Sequence, residues 1–250
     1  MINILLSGAN GKMGKVITRL AEDMKDINIC AGVDINTESS AFPIFSSPFE
    51  FDGECDVIID FSHPSVFDTL LDFAVERKLP IIMATTGLSE ENRQRLIDES
   101  QKIPVFFSAN MSLGVNLLID LAKKATAVLE ENFDIEIIER HHNQKIDAPS
   151  GTALAIADAI ADTAVGSKNY VYDRHSVRRK RSKDEIGIHA VRGGTIVGQH
   201  DVIFAGTDEI IEIKHTAMSK EIFAVGALKA AKFMCGKPSG YYSMNDLFKD

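Results

Sequence analysis

The segment from Ile2 to Asp34 narrows most sharply what this chain can fold into. Ile2-Asn3-Ile4-Leu5-Leu6-Ser7 has the apolar run of a buried strand, Gly8-Ala9-Asn10-Gly11-Lys12-Met13-Gly14 follows at once, and Val16, Ile17, Leu20 and Met24 recur at helical spacing. A second apolar run, Ile27 to Val33, ends at Asp34. Strand, glycine turn, helix and strand in this order make a βαβ unit. Its turn can bind phosphates on helix amides, while a carboxylate about twenty residues beyond the last glycine meets the adenosine ribose. The spacing is Gly-x-x-Gly-x-x-Gly rather than the commoner Gly-x-Gly-x-x-Gly, so the strand, helix and Asp34 carry the inference rather than the glycines alone. Gly8, Asn10, Gly11, Lys12, Met13, Gly14 and Asp34 are therefore expected to hold a dinucleotide. No Arg or Lys follows Asp34 to receive a ribose phosphate, which argues for NADH, whereas Lys12 in the turn leaves NADPH open.

Short apolar runs alternate with helical patterns as far as residue 112. Asp56 to Phe61, Pro80 to Ala84 and Pro104 to Ser108 read as buried strands, with helices near Ser65 to Arg77 and Ser89 to Lys102 between them. A doubly wound parallel sheet follows, with ligand contacts expected just after the strands: at Phe61 and Ser62, at Thr85, Thr86 and Gly87, and at Ala109, Asn110 and Met111. Each of these loops alone could be an ordinary connection. Gly114 to Glu130 reads as a helix leading out of this sheet. Beyond it the pattern changes to one helix among several strands, and Ile186 to Val191, Val202 to Phe204 and Ile210 to Ile213 suggest an antiparallel sheet. Glu221 to Cys235 is helical and returns to the first domain. The expected organisation is an α/β dinucleotide-binding domain over 1–112, joined by 219–250, and a smaller α+β domain over 113–218.

The chemistry concentrates in Glu139-Arg140-His141-His142-Asn143-Gln144-Lys145-Ile146-Asp147-Ala148-Pro149-Ser150-Gly151-Thr152-Ala153. Ile135 to Glu139 reads as a strand delivering the two histidines to its carboxyl end. Ser150 is positioned to N-cap a helix over Ala153 to Ala164, leaving the Gly151 and Thr152 amides for an anion. Lys145 adds a full positive charge, and glycine at 151 lets a carboxylate approach the backbone. Either histidine can act as a general acid near neutrality. The alternative is a polar strand-to-helix loop with no chemical role, against which the clustering argues. A zinc site is not expected, because adjacent histidines on a strand point to opposite faces and no Cys or spaced His completes a ligand set.

A formal charge of -9 makes most of the surface repel nucleic acid and anionic membrane, so anion binding must come from a local cationic cluster. The basic stretch Arg174 to Lys183 has no aromatic residue for base stacking and reads as a solvated loop or an intersubunit contact to acidic surface. Cys30, Cys55 and Cys235 are odd in number and widely spaced, which fits a reducing compartment. No charged leader or long apolar run appears, so a cytoplasmic location is expected.

On these residues the chain resembles the bacterial dihydrodipicolinate (4-hydroxy-tetrahydrodipicolinate) reductase family. The resemblance spans nearly the whole chain and rests on the histidine segment, Gly8 to Gly14, Thr85-Thr86-Gly87, Ala109-Asn110-Met111-Ser112 and Ile188 to Gly194. It implies a Rossmann-type fold, NADH and/or NADPH as cofactor, a small dicarboxylate substrate of lysine and diaminopimelate biosynthesis, and a homotetramer built through the second domain. It also implies that His141 donates the proton, that His142 and Lys145 bind substrate, and that Ser150, Gly151 and Thr152 hold a carboxylate. Met111 stands where the family often has an aromatic residue, so stacking on the nicotinamide is expected to give way to sulfur and methylene contacts. Lys214 to Lys220 matches the family only loosely and is set outside the catalytic set. Three rivals stand beside this reading: a nicotinamide reductase for another small imine or carbonyl acid, a non-catalytic nucleotide sensor, and a nucleic-acid binder using Arg174 to Lys183.

Overall fold

Runs of aliphatic residues too long to leave in water make the central strands of the first unit, and helices cover both faces. In the computed structural model, which describes residues 1–38 and 41–248, this unit comprises Met1–Leu113 and the segment from Glu221. In chain order its elements are β1 (Ile2–Ser7), α1 (Lys12–Glu22), β2 (Ile27–Val33), β3 (Ile44–Phe45), β4 (Val57–Asp60), α2 (Phe67–Arg77), β5 (Ile81–Met83), α3 (Glu90–Glu99) and β6 (Pro104–Phe107). The second unit, Gly114–Lys220, contains nearly all of α4 (Leu113–Leu129), then β7 (Asp134–His141), α5 (Gly151–Thr163), β8 (Asn169–Val171), β9 (Glu185–Arg192), β10 (Gly198–Ala205) and β11 (Ile210–Ala217). The chain then re-enters the first unit as α6 (Glu221–Met234) and β12 (Gly240–Tyr242). Lys249 and Asp250, the end of the returning segment expected from sequence, lie outside the described residues.

The first sheet runs β12-β6-β5-β4-β1-β2-β3 with every neighbouring pair parallel. One face buries Ile4, Leu6 and Ile59 with Ile17 of α1 and Ala227, Leu228 and Ala231 of α6; the other buries Leu5, Ile58 and Ile81 with Leu70 and Leu71 of α2 and Leu96 of α3. Each large aliphatic side chain so buried contributes about 1.5–3 kcal/mol. Strand order reverses at β1, which pairs with β2 on one side and β4 on the other. The crevice at their carboxyl ends is the place a doubly wound sheet offers a ligand.

The second sheet corrects the antiparallel expectation. Its order is β11-β10-β7-β9-β8, with β10 antiparallel to β7 and β11 but β9 parallel to both β7 and β8. Parallel neighbours need a crossover: α5 lies in the connection from β7 to β9, and residues 172–184 make the one from β8 to β9. Burial alternates along β7: Ile135, Ile137, Glu139 and His141 are buried, and Ile135 and Ile137 pack with Ile156, Ala157 and Ile160 of α5. Two polar residues therefore end a core-facing row that begins with isoleucine.

Candidate active site

In the first unit the glycine turn closes against the switch point. Gly8 has φ +78, and a Cβ there would come within 2.7 Å of the Phe61 carbonyl oxygen at the end of β4. A Cβ on Gly14 would lie 2.2 Å from the Gly8 carbonyl, so helix and turn pack backbone to backbone. Gly11 is the N-cap of α1 and no side chain caps that helix, whose first turn contains no acid. These are the features a diphosphate needs: amides at a helix start, no side chain in the way and no acid in the helix's first turn. Asp34 lies at the end of β2, where Oδ2 accepts from Asn10 N–H at 2.9 Å and Oδ1 from Asn36 N–H at 3.0 Å. Its remaining lone pairs can accept from a ribose diol. The Asn10 side chain donates to the carbonyls of Asn36 and Glu38 and ties the turn to the chain beyond β2. The residues thus fit a nicotinamide dinucleotide.

Elsewhere on this rim the structure separates positioned groups from offered ones. Ser62 Oγ donates to Asp60 Oδ1 at 2.5 Å, and Thr85 Oγ1 donates to Asp60 Oδ2 at 2.6 Å. Asp60 is buried, and burial raises its pKa against the hydrogen bonds from Ser62, Thr85 and Ser7. Ser62 and Thr85 are therefore held by Asp60, which sequence reasoning passed over, while Thr86, Gly87 and Ala109 are exposed. The Asn110 carbonyl accepts from Ser108 Oγ, and its side chain from Ser112 N–H. Met111 differs from expectation. Its side chain is 2% exposed within the core shared with α6, and its carbonyl lies where a Cβ on Gly226 would fall. That side chain belongs to the core and not to the rim, because α6 needs an apolar partner there.

The second unit builds its site around a carboxylate. Glu139 is fully buried and accepts two hydrogen bonds from Arg192, Nη1 to Oε2 and Nη2 to Oε1, each at 2.7 Å. Ser150 N–H donates to Oε1 at 2.9 Å, and His141 Nδ1 lies 2.6 Å from Oε2. Burial alone would raise the Glu139 carboxyl, but Arg192, His141 and the Ser150 amide hold it below the usual carboxylate range. An ionised carboxylate only accepts, so Nδ1–H of His141 is the donor in this bond, and Nε2 is left as the nitrogen that can take up a proton and pass it on. Gly198 makes room for that nitrogen, since a Cβ there would stand 3.1 Å from it.

His200 lies behind the pair, its ring 5.3 Å from that of His141 in an edge-to-face arrangement. Burial, followed by the neighbouring His141, lowers its pKa to about 4, so it is neutral at neutral pH. His200 Nε2 is 3.1 Å from Ser150 Oγ, which also accepts from Ala153 N–H as the N-cap of α5. The Ser150 hydroxyl, expected to touch a ligand, is 2% exposed and committed to the cap and to His200; it shapes the site from beneath.

The other predicted residues surround the entry to α5. His142 is half-buried at the strand exit, and its carbonyl accepts from Lys145 N–H at 3.2 Å. Lys145 Nζ lies 2.8 Å from Asp147 Oδ1. Gly151 is exposed at the first position of α5 with nothing within 4 Å of where a Cβ would stand, and Thr152 follows it half-buried. Arg192 joins the two clusters, because Nη2 also donates to the Asp147 carbonyl at 2.5 Å. Arrangements of this kind suit proton delivery to a bound anion.

Glu139, Arg192 and His200 complete this candidate site and, like Asp60 in the first unit, were not singled out from the sequence. A glutamate on the core-facing row of β7 was the available signal for the first; Arg192 and His200 reach it only through the sheet. The basic stretch is a loop exposed over residues 172–180, as a solvated segment would be, and several of its charges are also met within the chain: Arg174 pairs with Glu136 and Glu185, Arg179 with Glu185, and Arg181 with Asp134 and Glu136. Acidic residues on β7 and β9 supply the partners.

Comparison with known proteins agrees along the whole chain. The family model described as dihydrodipicolinate reductase, N-terminus, matches residues 2–111, and the model described as dihydrodipicolinate reductase, C-terminus, matches residues 114–248. The 4-hydroxy-tetrahydrodipicolinate reductase of Caldanaerobacter subterraneus subsp. tengcongensis is 54% identical over 249 residues, covering 100% of this chain and 99% of that one. The enzyme of the same name from Clostridium tetani is 53% identical, covering 98% and 96%. Among solved structures, the dipicolinate-bound dihydrodipicolinate reductase of Paenisporosarcina sp. TG-14 has a TM-score of 0.84 over 98% of this chain and 99% of that one, at 24% identity, which shows a shared fold.

Proposed function

This chain belongs to the dihydrodipicolinate reductase family, and on that premise we propose that it reduces 4-hydroxy-tetrahydrodipicolinate to tetrahydrodipicolinate in lysine and diaminopimelate biosynthesis. The observation that carries the chemical reading is the His141 imidazole held by Nδ1 on a buried, arginine-held carboxylate, in the same unit as Lys145 and the exposed Gly151 at the start of α5. The reduction consumes a hydride and a proton and loses the ring hydroxyl as water. NADH or NADPH, when bound, supplies the hydride. The doubly protonated His141 ring supplies the proton from Nε2, and Glu139, accepting from Nδ1–H, orients the ring and offsets its charge. Lys145 and the Gly151 and Thr152 amides take a substrate carboxylate, with His142 at the strand exit as a further donor. Gly8 to Gly14 and Asp34 hold the nucleotide, and the segments 61–62, 85–87 and 109–110 border its nicotinamide end.

A coupled assay tests the whole reading. A condensing synthase makes the substrate in place from pyruvate and aspartate semialdehyde, and nicotinamide absorbance is followed with each nucleotide. Loss of absorbance that needs both the synthase and this protein is the expected result; binding of both nucleotides with consumption of neither would overturn it.

Two substitutions divide the roles. Lys145→Ala is expected to weaken dipicolinate binding by about tenfold to a hundredfold, the worth of one charged hydrogen bond, with NADH affinity unchanged in calorimetry. Asp34→Ala is expected to weaken NADH binding by about tenfold and NADPH binding by less, because it also removes a charge that repels the extra phosphate. Both nucleotides should therefore serve, with NADH favoured.

The proposed location is the cytoplasm. Cys30, Cys55 and Cys235 are unpaired, and burial pushes the Cys55 thiol up to about 12 and raises the other two, which suits a compartment where thiols persist. Among the described residues no helix is long and apolar enough to cross a membrane. A homotetramer joined through the second unit accords with the apolar residues Ile210 and Ile211, 64% and 38% exposed on the edge strand β11.

A further inference from the structure

On the substrate-site reading just given, one carboxylate already stands where a substrate carboxylate is expected. Asp147 Oδ1 lies 2.8 Å from Lys145 Nζ, and the Gly151 N–H at the start of α5 also acts on the Asp147 carboxylate. These are two of the groups that would receive the ligand. We propose that Asp147 is a built-in competitor for this cradle, holding Lys145 until the substrate displaces it, and thereby setting substrate affinity.

Charge counting favours the displacement. Lys145 and Asp147 together are neutral, so a dianionic ligand arriving while Asp147 stayed in place would leave three carboxylates sharing one ammonium group. Arg192 offers no relief, because both of its terminal nitrogens are bonded to Glu139. Geometry makes the displacement easy. The Asp147 backbone is pinned by Arg192 Nη2 to its carbonyl at 2.5 Å, whereas its side chain is 56% exposed against 23% for Lys145. The aspartate can swing into water by rotation about its own bonds while the loop and the lysine stay. Space in front of the helix start is open, since nothing lies within 4 Å of a Cβ built on Gly151. A negative side chain so placed also screens the cradle from weakly bound anions, which cannot outcompete a tethered carboxylate.

Asp147→Asn tests this, because it keeps the shape and removes the charge. Dipicolinate binding by calorimetry is expected to tighten by about fivefold, the modest worth of a half-exposed ion pair, and the substrate KM to fall in step. The affinity should also become more sensitive to added salt, because Lys145 then forms its ion pair only with the ligand. Unchanged or weaker dipicolinate binding by Asp147→Asn would overturn the proposal and make Asp147 a support for Lys145. A parent protein that neither binds dipicolinate nor turns over substrate would instead overturn the functional reading on which the proposal rests.

Discussion

The His141→Gln protein is expected to lose about a hundredfold to ten-thousandfold in kcat, the range a positioned general acid contributes, while nucleotide and dipicolinate affinities stay close to those of the parent. The split follows from where the ring sits. Its Nδ1 is bound to Glu139 at 2.6 Å and its Nε2 is the only ring nitrogen left to deliver a proton, so glutamine removes delivery without removing Lys145, Gly151 or the nucleotide turn. Glutamine can still meet Glu139 through its amide, which limits the structural loss. Steady-state rates in the coupled assay, set against calorimetric binding of NADH and of dipicolinate, read the two quantities separately. An unchanged kcat would remove His141 as the acid, and a loss confined to KM would reassign it to binding.

The difference between what the sequence made legible and what it hid is physical. β1, β2 and the glycine turn were readable because a fully buried parallel strand needs an unbroken apolar run, and a helix packed on a turn leaves no room for side chains at Gly8 and Gly14. The helix at Gly151 was readable from Ser150, whose hydroxyl caps it as expected. β3, β8 and β12 are two or three residues long and carry no periodicity to read. β10 begins at Gly198, four residues before the apolar run that suggested it, since its first half is polar. That half is in the sheet because Asp201 pairs with Arg140, and His200 lies between His141 and Ser150. Long-range pairing of this sort has no local signature. Neither has the parallel register of β9 against β7, which decides that Arg192 stands opposite His141.

The same register explains why Glu139 matters. Glu139→Gln is expected to cost about 3–5 kcal/mol of stability, because Arg192 keeps its charge in a site that no longer balances it. It is also expected to lower kcat by about tenfold to a hundredfold, through loss of the carboxylate that orients the His141 ring and stabilises its doubly protonated form. The stability part has a definite pH dependence. Glu139 is depressed in the folded state, so its contribution is present above the ordinary carboxylate range near about 4.3 and is lost as pH falls through its lower folded value. Acid unfolding of the parent should therefore steepen below about pH 4, and the Glu139→Gln protein should lack that component. Because destabilisation and loss of catalysis would otherwise be confounded, the decisive variant carries Glu139→Gln with Arg192→Met. Removing the ion pair as a unit should restore most of the stability, since no buried charge is left alone. If Glu139 acts through His141, kcat stays low in this pair variant, KM for the nucleotide stays normal, and the Nδ1–H resonance of His141 loses the downfield shift of a hydrogen bond to a carboxylate. Recovery of kcat together with stability would mean that the carboxylate serves only to balance Arg192, and that the His141 ring is held by packing against His200 and the glycine at 198.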